Sequence, residues 1–394
     1  MAGHEVGVVT SVREGVRPFA VSTNPPVGVR FDVPVRYPKL LRPYLSLWYP
    51  RVGQALEEVL DEFQPDCVHA HNVHRYLGYH SLSVCWRRKI PVVVTLHDAM
   101  SVDYGRFVQG YESRPQDSQA PVDYRVRLWP TLKKYHVQYF PLRNSSIRRV
   151  LNHRVARVIT QSEALARLVR ANGLRVDKVV RCGLDPDQFP AQPARAENVN
   201  EMLGARAGTP TIALSGRLIE DKGCFQALQA MAVLRRNGID ATLFILGARS
   251  GDNPRFDDAV SASQLDTCVV YAGWLNPERL RAAYRLCDAV LVPSICLDVF
   301  PTVVLEAMAC GVPVVATSLG GAREAVEDGR TGYIVSPFNI EAIAQRLHEL
   351  LSEPDRAKAM GAAGRALIEG PLHVNAAARA YLAELRQVIE EGAQ

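Results

Sequence analysis

The chain has 394 residues, more than one core usually organises, so two domains are expected. With 47% hydrophobic and 22% charged residues it has the make-up of a folded globular protein, which excludes a disordered or fibrous chain. The net charge is +5, no apolar run approaches the roughly 18 to 20 residues that cross a bilayer, and MAGHEVGVVT lacks the basic start and long apolar core of a signal peptide, so a cytoplasmic location is expected.

Short apolar runs bounded by turn residues predict buried parallel strands. In the first half these are Val6 to Thr10, Cys67 to Ala70, Val92 to Leu96 and Val155 to Thr160. His69 and His71 close the second run, on sides of the strand expected to be opposite, and His97-Asp98 closes the third, which puts an imidazole at the mouth of a sheet. From Arg106 to Arg181 the chain is basic, with Arg125, Arg127, Lys133, Lys134, Arg148, Arg149, Arg154 and Arg157. Tyr104, Tyr111, Tyr124, Trp129, Tyr135, Tyr139 and Phe140 are interleaved. Such a segment suits either a solvated helix face or an anionic partner, a membrane headgroup or lipid-linked phosphate. No DNA- or RNA-binding module pattern is present, so no nucleic-acid partner is expected. The eight cysteines are scattered with no CxxC pair and read as reduced packing residues.

A polar, Pro-containing stretch from Asp185 to Pro210 separates the halves. Beyond it, Thr211 to Ser215, Ala241 to Leu246, Cys268 to Tyr271, Ala289 to Val292 and Val312 to Ala316 read as strands alternating with helical patterns. Helices near 339–352, 355–369 and 374–391 finish the chain. Each half is then a doubly wound α/β unit, which binds ligands at the carboxyl ends of its strands.

Those ends carry the chemistry. Ser215-Gly216-Arg217 closes a strand and Lys222-Gly223 opens the next helix, giving two cations and a helix N-terminus to hold a diphosphate. From Val303 to Ala309 only Glu306 is polar. A buried carboxylate is costly without donors, so Glu306 should face a polar ligand. Asp298 precedes it by eight residues in the feeding loop. The backbone N–H groups of Phe300, Thr302 and Val303 can face an anion, whereas Pro301 has none to give. Gly320-Gly321 forms a Gly-rich turn suited to phosphate. Asp185-Pro186-Asp187 spells a metal-binding pair, and Asp298 with Glu306 could suggest a glycosidase. Both carboxylates of the second pair, however, come from one βα loop beside phosphate-binding elements.

The run Leu305 to Ala316, Gly320-Gly321-x-x-Glu324, Gly216-Arg217-x4-Lys222-Gly223, Thr95-x-His97-Asp98 and Gly183-Leu184-Asp185-x3-Phe189 resembles glycosyltransferase family 4. These are the retaining, metal-independent group 1 enzymes of the GT-B fold, with two Rossmann-like doubly wound domains and an interdomain cleft. The resemblance implies an acceptor-side domain over 1–190, a nucleotide-sugar domain over 191–373 and a helix over 374–394 that crosses back onto the first domain. It also implies a nucleoside diphosphate sugar as donor substrate, with no cofactor, no metal at Asp185-x-Asp187 and no protein nucleophile. Arg217 and Lys222 would hold the leaving diphosphate, Glu306 the ribose, and Asp298 and His97 the donor sugar. Trp274 lies near where the family holds the base, with simple packing as the alternative.

Three departures from the pattern stand out. Asp298 replaces the first glutamate of the family's acidic pair, and Cys182 an asparagine. Gly3 to Thr10 resembles the family's second strand, so its first strand, Gly-rich loop and first helix are expected to be missing. Loss of a central strand would open a gap of about 9 to 10 Å in the sheet, and the alternative function is then an inactive, truncated nucleotide-sugar-binding or scaffold protein.

Overall fold

The computed structural model describes residues 3–13, 29–35, 41–109, 122–189, 208–247 and 254–392. Tyr111 and most of the predicted linker lie outside them. The N-terminal half contributes β1 (Gly7–Arg13), β2 (Val29–Val35), β3 (Val68–His71), β4 (Val92–Leu96), β5 (Arg157–Thr160) and β6 (Lys178–Val179). The C-terminal half contributes β7 (Thr211–Ser215), β8 (Thr242–Leu246), β9 (Val269–Gly273), β10 (Ala289–Val292), β11 (Val314–Thr317) and β12 (Gly332–Val335). All the ladders are parallel.

The C-terminal strands make one sheet in the order β12-β11-β10-β7-β8-β9, a complete doubly wound arrangement that reverses direction between β7 and β10. Helices cover both faces, which is why its strands are unbroken apolar runs: β8 and β10 are buried throughout. At the reversal the backbones approach closely. A Cβ on Gly223 would sit 1.9 Å from the Pro293 carbonyl oxygen, and Gly223 has φ +77°, so glycine is required there on two counts.

The N-terminal half is divided. β3-β4-β5-β6 form one sheet, β1 and β2 pair only with each other, and among the described residues no ladder joins the two. The break falls between β1 and β3. The doublet has a small core of its own, Val33, Val35, Tyr49 and Val52, and leaves Val6 and Val8 exposed.

The last helix, Val374–Gly392, lies on the four-stranded sheet. Its Val388 packs against Val93, Ile159 and Val180, each of which gains roughly 1.5–3 kcal/mol by burial. Arg157 Nη2 donates to Glu391 at 2.5 Å, and Glu384 lies 3.7 Å from Arg157 and 3.6 Å from Lys178. The two chain crossings between the halves are joined to each other, because Leu184 N–H donates to the Leu372 carbonyl and its own carbonyl accepts from Val374.

Candidate active site

The predicted donor residues converge where β7 and β10 diverge. Beyond β7, Gly216 (φ +113°) turns the chain, Arg217 is exposed, and a single turn Glu220–Lys222 leads through Gly223 into the helix Cys224–Arg236. Beyond β10, the loop carries Ser294 and Asp298 to the helix Thr302–Ala309. Lys222 Nζ forms an ion pair with Asp298, whose Oδ2 also accepts from Ser294 Oγ at 3.3 Å. The Arg217 guanidinium is held below its usual range by burial and by the like charges of Arg106 and Arg75, with Asp298 opposing them.

Glu306 is half-buried, between buried Leu305 and Ala307. Its Oε2 accepts from the Tyr284 hydroxyl at 3.1 Å, and that hydroxyl lies 2.7 Å from Ser215 Oγ. Burial pushes the carboxyl up and the bond from Tyr284 pulls it down, with a net upward result. The acid therefore has one internal donor and one open side. At the start of the same helix, Thr302 is exposed, Val303 half-buried and Phe300 buried. The first-turn N–H groups have no acceptor within the helix, so they can receive an anion.

Gly320 and Gly321 pack against the backbone of the Asp298 loop. Gly321 N–H donates to the Asp298 carbonyl at 2.8 Å, so it is already used within the protein. A Cβ on Gly320 would sit 2.2 Å from the Asp298 oxygen and one on Gly321 1.8 Å from that of Val299. The pair lets two loops pack backbone to backbone, and this contact positions Asp298.

On the opposite side, β4 delivers His97. Its Nε2 lies 2.8 Å from His71 Nδ1 and its Nδ1 2.7 Å from Gln161 Oε1. Burial lowers the ring's affinity for a proton, and it lowers that of His71 to about 4 and His69 to about 3, so the cluster is neutral at pH 7. Asp98 does not touch the His97 ring. Its Oδ1 caps the turn Ala99–Ser101 by accepting from Met100 N–H at 2.9 Å, and its Oδ2 lies 3.4 Å from His74. The expectation that His69 and His71 face opposite ways is corrected: residues two apart on a strand share a face, and their ring centroids are 4.0 Å apart. His69 bonds Thr95 at 2.8 Å and stacks near Tyr381, a packing role. Cys182 meets the Gln161 amide.

Several other residues settle plainly. Asp185 caps a short turn by accepting from Asp187 N–H at 3.1 Å. Among the described residues no group of three or more His, Cys, Asp or Glu is arranged to hold a metal, and no helix is long and apolar enough to cross a membrane. All eight cysteines are free thiols. Trp274 is 82% exposed, so internal packing does not account for it.

The contacts that join the halves were missed in the sequence. Glu324 accepts from the N–H groups of Glu163 and Ala164, both at 3.0 Å, and so sits on the N-terminus of the helix Glu163–Ala171. Leu297 N–H donates to the Phe107 carbonyl at 2.9 Å, and Arg106 donates to Asp221 at 3.1 Å. Tyr284 was missed as well. An aromatic in an amphipathic helix reads as core, and only its position beside Glu306 gives it a polar task.

The sequence profile of the glycosyl transferases group 1 matches residues 196–367, and that of glycosyltransferase family 4 matches residues 1–188. The chain belongs to this glycosyltransferase family. A GDP-mannose-dependent alpha-(1-6)-phosphatidylinositol monomannoside mannosyltransferase from Mycolicibacterium smegmatis is 36% identical over 46% of this chain and 49% of its own. A 2-deoxystreptamine glucosyltransferase from Streptomyces kanamyceticus is 29% identical over 62% of this chain and 64% of its own. This family 4 chain thus spans about half to under two thirds of the length of these curated relatives. Sucrose-phosphate synthase from Thermosynechococcus elongatus superposes with a TM-score of 0.76 at 20% identity, covering 99% of this chain and 90% of its own. Anabaena HepE in complex with UDP gives 0.68 at 19% identity, covering 92% and 86%. At these identities the likeness establishes the fold, and the chain has the GT-B architecture of two Rossmann-like units.

Proposed function

We propose that the protein transfers a sugar from a nucleoside diphosphate sugar to an acceptor, with retention at the anomeric carbon and without a metal. The observation that carries this reading is the convergence of Arg217, Lys222, Asp298 and Glu306 at the reversal point of a complete nucleotide-binding sheet. Arg217 and Lys222 neutralise the diphosphate as it departs, with the first-turn N–H groups of Thr302 and Val303 beside them. Glu306 takes the ribose hydroxyls on its open side. Asp298 and His97 hold the sugar from opposite sides, Asp298 after Lys222 has moved from it to the phosphate. The departing phosphate takes the acceptor proton on the face it leaves, so no protein nucleophile is used.

The acceptor is anionic or lipid-linked, and the protein works in the cytoplasm at the inner face of the membrane. The support is the basic segment: Trp129 is 79% exposed and Leu128 53%, on a helix that also presents Lys133 and Lys134. By contrast, the Tyr104 ring is stacked on Tyr135 and lies tilted against Tyr139, and Arg143 lies over it, so those aromatics are structural.

A second reading, a nucleotide-binding protein without transfer, is favoured by the division between β1–β2 and β3–β6. Thermal shift with UDP, GDP and ADP, repeated with Glu306→Ala, tests the donor site. A nucleotide at about 100 times its Kd adds roughly 2.7 kcal/mol of stability, and the variant should lose it. Absence of any shift overturns the donor site. A shift without sugar release from the matching UDP-, GDP- or ADP-sugar favours the second reading.

A further inference from the structure

The N-terminal half brings cations of its own to the donor site. Arg106 Nη1 lies 3.1 Å from Oδ2 of Asp221, the residue before Lys222. The next carbonyl along, that of Phe107, accepts from the N–H of Leu297, the residue before Asp298. Ile295 N–H donates to the Asp221 carbonyl, so the segment carrying Arg106, the Lys222 turn and the Asp298 loop are bonded into one unit. Arg217 and Cys296 both feel the Arg106 charge, and Arg217 feels that of Arg75 as well. Four cations, Arg75, Arg106, Arg217 and Lys222, thus gather around the reversal point with three carboxylates, Asp221, Asp298 and Glu306. The cations outnumber the acids, which suits a nucleoside diphosphate sugar carrying about one negative charge per phosphate.

We propose that Arg106 is a further donor-binding residue, supplied by the N-terminal half, which exchanges Asp221 for the β-phosphate when a nucleoside diphosphate enters. The inference rests on the donor-site reading above. Phosphate offers the guanidinium fork the same paired oxygens as a carboxylate, with more charge. Asp221 holds Arg106 beside Arg217, where two guanidiniums would otherwise repel. The Arg106 side chain is 26% exposed and that of Asp221 39%, so their pair is partly screened by water and can exchange. The β-phosphate is also the group on which charge grows as the sugar departs, so a cation there assists departure as well as binding. Because Arg106 comes from the other half, filling the donor site tightens the contact between the halves.

Calorimetric titration with UDP and UMP, GDP and GMP, and ADP and AMP tests this on the unaltered protein and on Arg106→Ala, Arg106→Lys and Asp221→Asn. Arg106→Ala should weaken the diphosphate about tenfold, the worth of one charge-assisted bond, and leave the matching monophosphate unaltered, which also reports a folded site. Arg106→Lys should recover part of the loss. Asp221→Asn should strengthen diphosphate binding, because the competing carboxylate charge is gone. If Arg106 and Asp221 only tie the halves together, both variants will act alike and the ratio of diphosphate to monophosphate affinity will not move, which overturns the inference alone. If the unaltered protein binds none of the six nucleotides, the donor reading falls and this inference with it.

Discussion

The two halves solve the same packing problem with different completeness. From β7 to β12 six parallel strands form one sheet, whereas the N-terminal half divides its strands into β1–β2 and β3–β6. Yet both halves place candidate functional side chains at carboxyl ends of strands: Arg217 after β7, His97 after β4. A βα loop thus keeps its place as long as its own strand and immediate neighbours pair, even where the sheet is interrupted elsewhere.

The sharpest test of that contrast is on the complete side. Lys222→Ala should lower turnover by roughly two to three orders of magnitude and leave the fold intact, since the partner of its side chain among the described residues is Asp298 across the site. An unaltered kcat removes Lys222 from the mechanism. Next in size is the packing itself. Leu243→Ala, at a fully buried position of β8, should cost about 3 kcal/mol, and Val9→Ala on the half-buried doublet strand about 1 kcal/mol or less. Hydrogen exchange should show β1 and β2 opening well before β7 and β8; equal protection of the two regions would dissolve the distinction.

Glu324→Gln probes the joint between the halves. It removes the charge from the start of the helix Glu163–Ala171 and should cost about 1 kcal/mol, read as a lower denaturation midpoint. No change would mean the carboxylate contributes no more than a neutral amide.

The smallest effect is the response to pH, and it has opposite sign in the two halves. His69, His71 and His97 bind protons less readily when folded, so between their unfolded value of 6.5 and the lower folded ones the unfolded chain holds more protons. Stability from the N-terminal half is therefore lost as pH falls below 6.5. Glu306 is raised from its ordinary 4.5, so just above that pH the folded protein holds the extra proton and stability falls as pH rises. Glu306→Gln should flatten the second trend, and replacing His71 with asparagine should weaken the first. Denaturation midpoints measured from pH 4 to 7 check both.

Much of the C-terminal half was legible because its signals are local. A buried strand, a glycine the backbone needs and a cation follow one another within twelve residues, as from Thr211 to Lys222. Glu306 could be singled out because it interrupts an apolar run. What stayed hidden depends on residues far apart in sequence: Tyr284 beside Glu306, Arg106 on Asp221, Glu324 on the helix at Glu163. Gly320 and Gly321 were visible, but their use was not. A glycine pair reads the same whether its backbone meets phosphate or another strand of protein, and here it meets Asp298 and Val299. The same-side placement of His69 and His71 was available from strand geometry alone.

The final helix carries a consequence for how the protein is made. Val93 and Ile159 of the four-stranded sheet, with Val180 just beyond its last strand, are covered by Val388, and that sheet is complete by Val179. On the ribosome, at about 5–20 residues per second, that sheet waits for some two hundred further residues with one apolar face uncovered, while the whole C-terminal half is synthesised. The half made first is the half finished last. A chain cut before Val374 would release a folded C-terminal half attached to a partner with one apolar face uncovered, and a nascent chain is in that condition until Val388 has been added.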